Sequence, residues 1–329
     1  MSRFARLREL AATGLMVLST AAFAEEPEFP YIDENCGYTT SYEAPPQRAV
    51  TLSNNATEMM LALGLEDRMA GTSYMASLKI SPQYEKAYAQ VPVLSPLVAT
   101  TEQLIETEAD FVYAGYPDGF SESRHTRDQL HDLGMKTRLN TEGCNLGKFG
   151  FDQLFSEIRA VAAIFGVRER GDKLIADIRK RLDTVEAKLK GVEPIPVFIF
   201  NGGESAPRAV LGNTMLSHVV ERAGGTNVFG DVPNRYGQVS WEQIAERRPE
   251  YIVVYYSGTA GGQVVGDPAG ELGTGRIEIL MSNPTIAGVP GVAGEKFVTI
   301  DSVWGQPGPS SIDAVEKLAR AFHPQRMAD

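Results

Sequence analysis

The chain predicts an α/β protein of two lobes, each a mainly parallel sheet with flanking helices, joined by a single long connector helix. Three observations carry this. Short apolar strands alternate with amphipathic helices on both sides of the middle of the chain, which implies crossover connections and sheets covered on both faces. One uninterrupted, highly charged helical pattern separates the two alternating regions. A phrase also occurs twice, as "TTEQLIETEADFVYA" (Thr100 to Ala114) and "SWEQIAERRPEYIVV" (Ser240 to Val254), with Glu102, Gln103 and Glu106 matching Glu242, Gln243 and Glu246. Two similarly built halves follow.

Residues 1–24 read as a cleaved export signal. A basic start (Arg3, Arg6, Arg8) precedes the short apolar run "LAATGLMVLSTAA", and "AFA" supplies small residues for cleavage after Ala24. The expected N-terminal lobe, 25–165, alternates the strand "RAVTLS", the helix "NNATEMMLALGL", the strand "RMAGTSY", the helix "EQLIETEA", the strand "DFVYAGY", the helix "RHTRDQLHDLG" and the strand "MKTRLN". Asn55 with Glu58 three places on has the spacing of a capping box, so Glu58 reads as a helix-start residue. In the expected connector, 166–190, Leu174, Ile178, Leu182, Val185 and Leu189 recur at helical spacing among charges; about 23 residues span roughly 35 Å. The expected C-terminal lobe, 191–329, repeats the alternation from "PVFIFNG" and "RAVLGN" through "EYIVVYYSG" and "EKFVTID" to the helix "SIDAVEKLARAF". The glycine-rich Ser257 to Gly275 reads as a long loop.

The formal net charge of the whole chain is −11, and loss of the basic leader makes it more negative. So acidic a chain repels phosphate backbones, which argues against nucleic acid as a partner. Cys36 and Cys144 are the only cysteines. In an exported chain they are expected to form one disulfide, which would stabilise by about 4 to 5 kcal/mol in the chain-entropy model; the alternative is two unpaired buried thiols.

Catalytic signals are sparse. Ser205 in "GGESAP" follows a strand, but Pro207 stands where a hydrolase elbow needs glycine. No GxGxxG or Gly-Lys-Ser/Thr pattern is present, and His125, His131, His218 and His323 are scattered rather than grouped as metal ligands. Aromatic and polar residues at strand ends do stand out: Tyr74, Tyr116, Tyr236 and Trp304, with Asn201, Glu204 and Arg208 around the turn after the first strand of the second lobe. Any single tyrosine could be ordinary packing. As a set they fit a cleft, because ligands of open parallel sheets bind beyond the carboxyl ends of the strands.

With "RAVTLSNNATEMMLALGLEDRMAGTSY" and "ERAGGTNVFGD…YGQVSWEQIAERRPEYIVV", the chain resembles the periplasmic substrate-binding proteins of iron-chelate and cobalamin ABC importers. The resemblance implies a non-enzymatic, monomeric carrier without an intrinsic cofactor, closing modestly around a small-molecule metal chelate. Its implied partner is an inner-membrane permease with its ATPase, docked through Glu102 and Glu242. It places Tyr74 and Tyr236 at cleft positions and Trp304 close to one. The tryptophans that cobalamin binders carry in the first lobe are replaced around "LSPLVAT" and "AGYPD", whereas Arg208 and the tyrosines suit the anionic oxygens of a ferric siderophore. Cobalamin, haem and an exported hydrolase acting through Ser205 are the competing expectations.

Overall fold

The computed structural model describes residues 29–73, 80–255, 259–260, 263–264 and 271–328. The chain opens with an antiparallel hairpin, β1 (Tyr31–Asn35) and β2 (Tyr38–Tyr42), which lies outside the strand–helix alternation. Its two-residue turn is Cys36-Gly37, with φ of 52° and 83°, the paired left-handed conformations that match the twist of a tight hairpin.

Five parallel strands build the first sheet: β3 (Ala49–Leu52), β4 (Met69–Ser73), β5 (Val93–Ser95), β6 (Phe111–Ala114) and β7 (Lys136–Leu139). Their order is β5-β4-β3-β6-β7. The chain builds outward from β3 in one direction, then returns to start again at β6, so the strand order reverses between β3 and β6. At such a switch point the loops diverge and leave a crevice. Every residue of β3 and β6 is buried, as expected for central strands of a sheet covered on both faces.

The second sheet contains β8 (Ile195–Phe200), β9 (Arg208–Val210), β10 (Gly225–Asn227), β11 (Tyr236–Gln238), β12 (Tyr251–Tyr255) and, after a minimal ladder of β13 (Thr259–Ala260) with β14 (Gln263–Val264), β15 (Phe297–Ile300). Its order is β11-β9-β8-β12-β15, with β10 also on β8. β10, β8, β12 and β15 are parallel, while β9 and β11 run antiparallel at one edge. The helix Glu271–Ser282 takes in the last five positions of the stretch read as a loop. There "ELGTGRIEILMS" carries enough good helix formers to outweigh its two glycines, and Leu280 anchors it in the core.

The long helix occupies Arg168–Leu189 and buries Gly171, Ile175, Ile178, Leu182 and Val185. At about 2 kcal/mol for each large apolar side chain, this stripe holds the helix more firmly than its propensity does. Leu174 and Leu189, expected on that stripe, are partly buried at its border. The helix packs against both Phe151–Ile164 and Ser311–Phe322, and one apolar cluster runs from Met59 and Phe111 through Ile178 and Leu182 to Val219 and Phe322. The connector is thus the shared spine of the two sheets rather than a strut through solvent.

The hairpin is tied to the first sheet by buried polar contacts. Asn35 exchanges two hydrogen bonds with the backbone of Leu139, at 2.8 and 2.9 Å. Arg138 pairs with Asp33 at 2.5 Å and with Glu157 at 2.8 Å, all three buried. A disulfide joins Cys36 to Cys144, with Cα atoms 5.2 Å apart. Together they fix the end of β7 and the turn Thr141–Cys144 that follows it.

Glu58 departs from its expected role. The cap of the helix Asn54–Ala62 is Ser53, which makes no side-chain cap bond. Glu58 is fully buried instead. Its Oε1 accepts from the Ser81 amide at 2.6 Å and its Oε2 from the Ser310 hydroxyl at 2.5 Å, a residue 252 positions away. The capping-box spacing was coincidental, because the carboxylate faces the core side of the helix.

Candidate ligand site between the lobes

The candidate site is built where strands of both sheets end. β3 leads into Ser53 and the helix residue Asn55, and β6 leads into Gly115 and Tyr116. Side chains approach this turn so closely that a Cβ on Gly115 would lie 2.0 Å from Asn55 Oδ1 and 2.1 Å from Ser53 Oγ. Glycine is required there by contact, since only a bare backbone fits. β7 ends at Asn140, whose side chain accepts from the Glu142 amide at 3.1 Å and donates to the carbonyl of Pro307, in the other half of the chain, at 3.2 Å.

Glu142 crosses to the second lobe. Its Oε1 accepts from the Met215 amide at 2.7 Å, in the first turn of the helix Met215–Arg222, and its Oε2 accepts from Arg235 Nη2 at 2.7 Å. Thr214 caps the same helix through Ser217 N. The glutamate therefore meets two electropositive groups, a helix N-terminus and a guanidinium. Three tyrosines surround this pair closely enough to share its field. Burial pushes the Tyr116 hydroxyl well above its ordinary range, and Tyr255, Tyr236 and Glu142 push in the same direction. Burial raises Tyr236 to about 12, aided by Glu142 and opposed by Arg235. All three phenols are therefore neutral donors near neutral pH.

Several polar atoms here are buried without a hydrogen-bond partner among the described residues: Arg235 Nε, both amide atoms of Gln306, and Asn55 Nδ2. Gln306 lies between Pro307, which accepts from Asn140, and Gly305, where a Cβ would lie 2.4 Å from the Tyr255 ring. An unpaired buried polar atom is costly, so these atoms are candidates for bonds to water or to a ligand.

Of the residues singled out in the sequence, Tyr116 and Tyr236 come together from opposite lobes. Trp304 also lies between the lobes but with another group, donating through Nε1 to Ser81 Oγ at 3.1 Å beside Glu58 and Ser310, with Lys317 Nζ 5.6 Å from its ring. Asn201 sits in the β8–β9 turn, bonded through its amide to the carbonyl of Arg208 at 2.8 Å. Arg208 itself is exposed at the start of β9. Tyr74 lies outside the described residues. Glu142, Arg235 and Tyr255, central to the geometry, were not singled out; the signals available were the adjacency of Glu142 to the cysteine in "TEGC" and of Arg235 to Tyr236 in "NRYG".

Glu102 and Glu242 are exposed, each in the first turn of a short helix, Thr101–Glu106 and Trp241–Arg247. Both helices start with a complete capping box, Thr100 with Gln103 and Ser240 with Gln243. The repeated phrase thus encodes two equivalent helix starts, each closed by a reciprocal capping pair of a hydroxyl and a glutamine. Both glutamates are left pointing at solvent.

A family model described as periplasmic binding protein matches residues 50–303. The vitamin B12-binding protein of Vibrio parahaemolyticus is 26% identical over 214 residues, covering 65% of this chain and 72% of the relative. That of Vibrio cholerae is 23% identical over 280 residues, covering 83% and 88%. Among solved structures, a periplasmic binding protein from Veillonella parvula superposes with a TM-score of 0.79 at 26% identity, covering 89% of this chain and 97% of that one. An Fe3+-hydroxamate transport protein from Saccharomonospora viridis gives 0.73 at 22% identity, covering 90% and 99%, and shares the fold. A match over most of the chain, with two sheets on a common spine and a polar site between them, places the protein in the periplasmic binding protein family, the non-enzymatic binding components of ABC-type importers.

Proposed function

We propose that the protein captures a ferric siderophore between its two lobes and delivers it to an inner-membrane ABC permease. The observation that carries this reading is the donor set at the lobe boundary, with Arg235 bonded to the buried Glu142 carboxylate and the phenols of Tyr116, Tyr236 and Tyr255 within its electrostatic reach. Guanidinium and phenol groups recognise the anionic oxygens of catecholate or carboxylate chelators, and a guanidinium offers them a planar fork. A corrinoid, with its extensive apolar faces, would be better served by exposed aromatic platforms. Trp241 is buried, and Trp304 is engaged with Ser81.

Glu102 and Glu242 supply the permease contacts in this reading, and the carrier works as an exported monomer, cleaved after Ala24. Asn201 and Arg208, in and beside the β8–β9 turn, are further ligand contacts in this reading, as is Tyr74 on the sequence alone. The test is a fluorescence titration of the purified protein, following Trp241 and Trp304, with ferric siderophores set against cobalamin and haemin. Saturable quenching at submicromolar concentration by a ferric siderophore alone is expected. Quenching by cobalamin or haemin alone would overturn the ligand class while leaving the carrier role.

A further inference from the structure

We infer that Glu142 is an internal counter-anion for Arg235, and that an anionic ligand binds by taking its place. The inference rests on the anionic-ligand reading above and names the residue that sets its selectivity. The Arg235 guanidinium is spent on one carboxylate oxygen, through Nη2 at 2.7 Å, while its buried Nε has no partner among the described residues. A guanidinium fork can hold a planar anion through two parallel N–H donors, and here it is only half engaged. Tyr116 and Tyr236 bear on Arg235 as well, but neutral phenols do not compensate its charge, so Glu142 alone does.

Glu142 is also placed so that it can let go without being lost. Its Oε1 accepts from the Met215 amide at the start of an eight-residue helix. Its own amide is held by Asn140, and Cys144, two residues on, is clamped to Cys36. It therefore belongs to a rigid turn of the first lobe and reaches partners that belong to the second. Parting of the lobes withdraws Glu142 from Arg235 and strands a cation at the strand ends. An anionic ligand satisfies that cation, including the Nε that Glu142 leaves unpaired, and an uncharged ligand does not. Competition with the glutamate then disfavours uncharged ligands, because they must leave the guanidinium without a counter-charge.

The experiment compares wild type, Glu142→Gln and Arg235→Gln with two anionic probes, a ferric tris-catecholate and haemin, and two probes without an anionic group on their exposed face, a ferric tris-hydroxamate and cyanocobalamin. Glu142→Gln keeps an oxygen for the Met215 amide and removes only the charge. It is expected to bind whichever anionic probe the wild type binds at least tenfold more tightly, with uncharged probes changed less than twofold. Arg235→Gln is expected to weaken the same anionic probe at least tenfold. Small-angle scattering of the unliganded proteins, which needs no ligand, should show Glu142→Gln populating a more open form. Anionic binding through haemin rather than the catecholate would sink the siderophore reading and keep the exchange. Equal changes for charged and uncharged probes, or wild-type binding of an uncharged probe alone, would overturn the exchange itself.

Discussion

Two glutamates of the first lobe reach into the second, and their surroundings differ in one respect. Glu142 meets a guanidinium and a helix amide, whereas Glu58 meets one amide and one hydroxyl and no cation. Both are almost completely buried. Burial pushes the Glu58 carboxyl up to about 7, against the pull of its bonds from Ser310 and Ser81 and with a further push from Asp313. The lesson is that a buried carboxylate with a cation answers to competing anions, while one with only neutral donors answers to protons. Among the described residues both kinds of contact stand between the lobes.

The largest effect should come from stripping the cation from the first contact. Arg235→Met leaves the Glu142 carboxylate buried with a single helix amide, and such half-pairs cost about 3 to 5 kcal/mol. Urea unfolding at neutral pH reads this directly. A loss below about 1 kcal/mol would show that the two contacts do not differ as described.

The next effect is a pH dependence of the second contact. The folded carboxyl of Glu58 titrates near 7 and an unfolded glutamate near 4.5, so between these values the folded state holds a proton that the unfolded state has released. Stability from this group is fully present below about 4.5 and is lost as pH rises through about 7, by up to roughly 3 kcal/mol. Glu157 works in the opposite sense: burial opposes its ionisation, but Arg138 and neighbouring donors hold its carboxyl below the ordinary value, so its contribution is lost as pH falls. Stability curves of wild type and Glu58→Gln between these pH values should converge at the acid end and separate toward neutrality. Parallel curves would mean that Glu58 does not titrate in this window. Trp304 donates to the Ser81 hydroxyl, which donates to the Ser310 hydroxyl at 2.8 Å that in turn donates to Glu58, so its emission should follow the titration in wild type alone.

The smallest structural effect belongs to the exposed pair. Replacing Glu102 and Glu242 together with alanine should leave the melting temperature and ligand affinity unchanged, because both helix starts are capped by other residues. Uptake in cells should nevertheless be abolished. Normal uptake by the double variant would remove these two residues from the docking surface.

How much of this was legible depended on how far apart in sequence the partners stand. The connector, the strands β3, β4, β6 and β7 of the first sheet and β8, β9, β12 and β15 of the second, and the two equivalent helix starts are written in local periodicity, whereas the three-residue strands β5, β10 and β11 carry no such signal. The inter-lobe contacts are not local. Glu58 meets Ser310, Glu142 meets Arg235 and Asn140 meets Pro307 across 252, 93 and 167 positions. No spacing rule reaches that far, and in the case of Glu58 a local rule gave a misleading answer. Tyr116 and Tyr236 could be found because strand ends are local features. Their neighbour Tyr255 reads as an ordinary residue of an apolar strand until the second sheet is assembled.

The disulfide has a consequence for maturation. Cys36 and Cys144 are 108 positions apart and enclose all five strands of the first sheet. A chain with two cysteines admits one intramolecular pairing, so no scrambled isomer exists to be repaired. An oxidant is sufficient and a disulfide isomerase is unnecessary. Folding of the lobe brings the two Cα atoms to 5.2 Å and so favours closure of the bond, and the closed bond in turn removes freedom from the unfolded chain and favours the folded lobe.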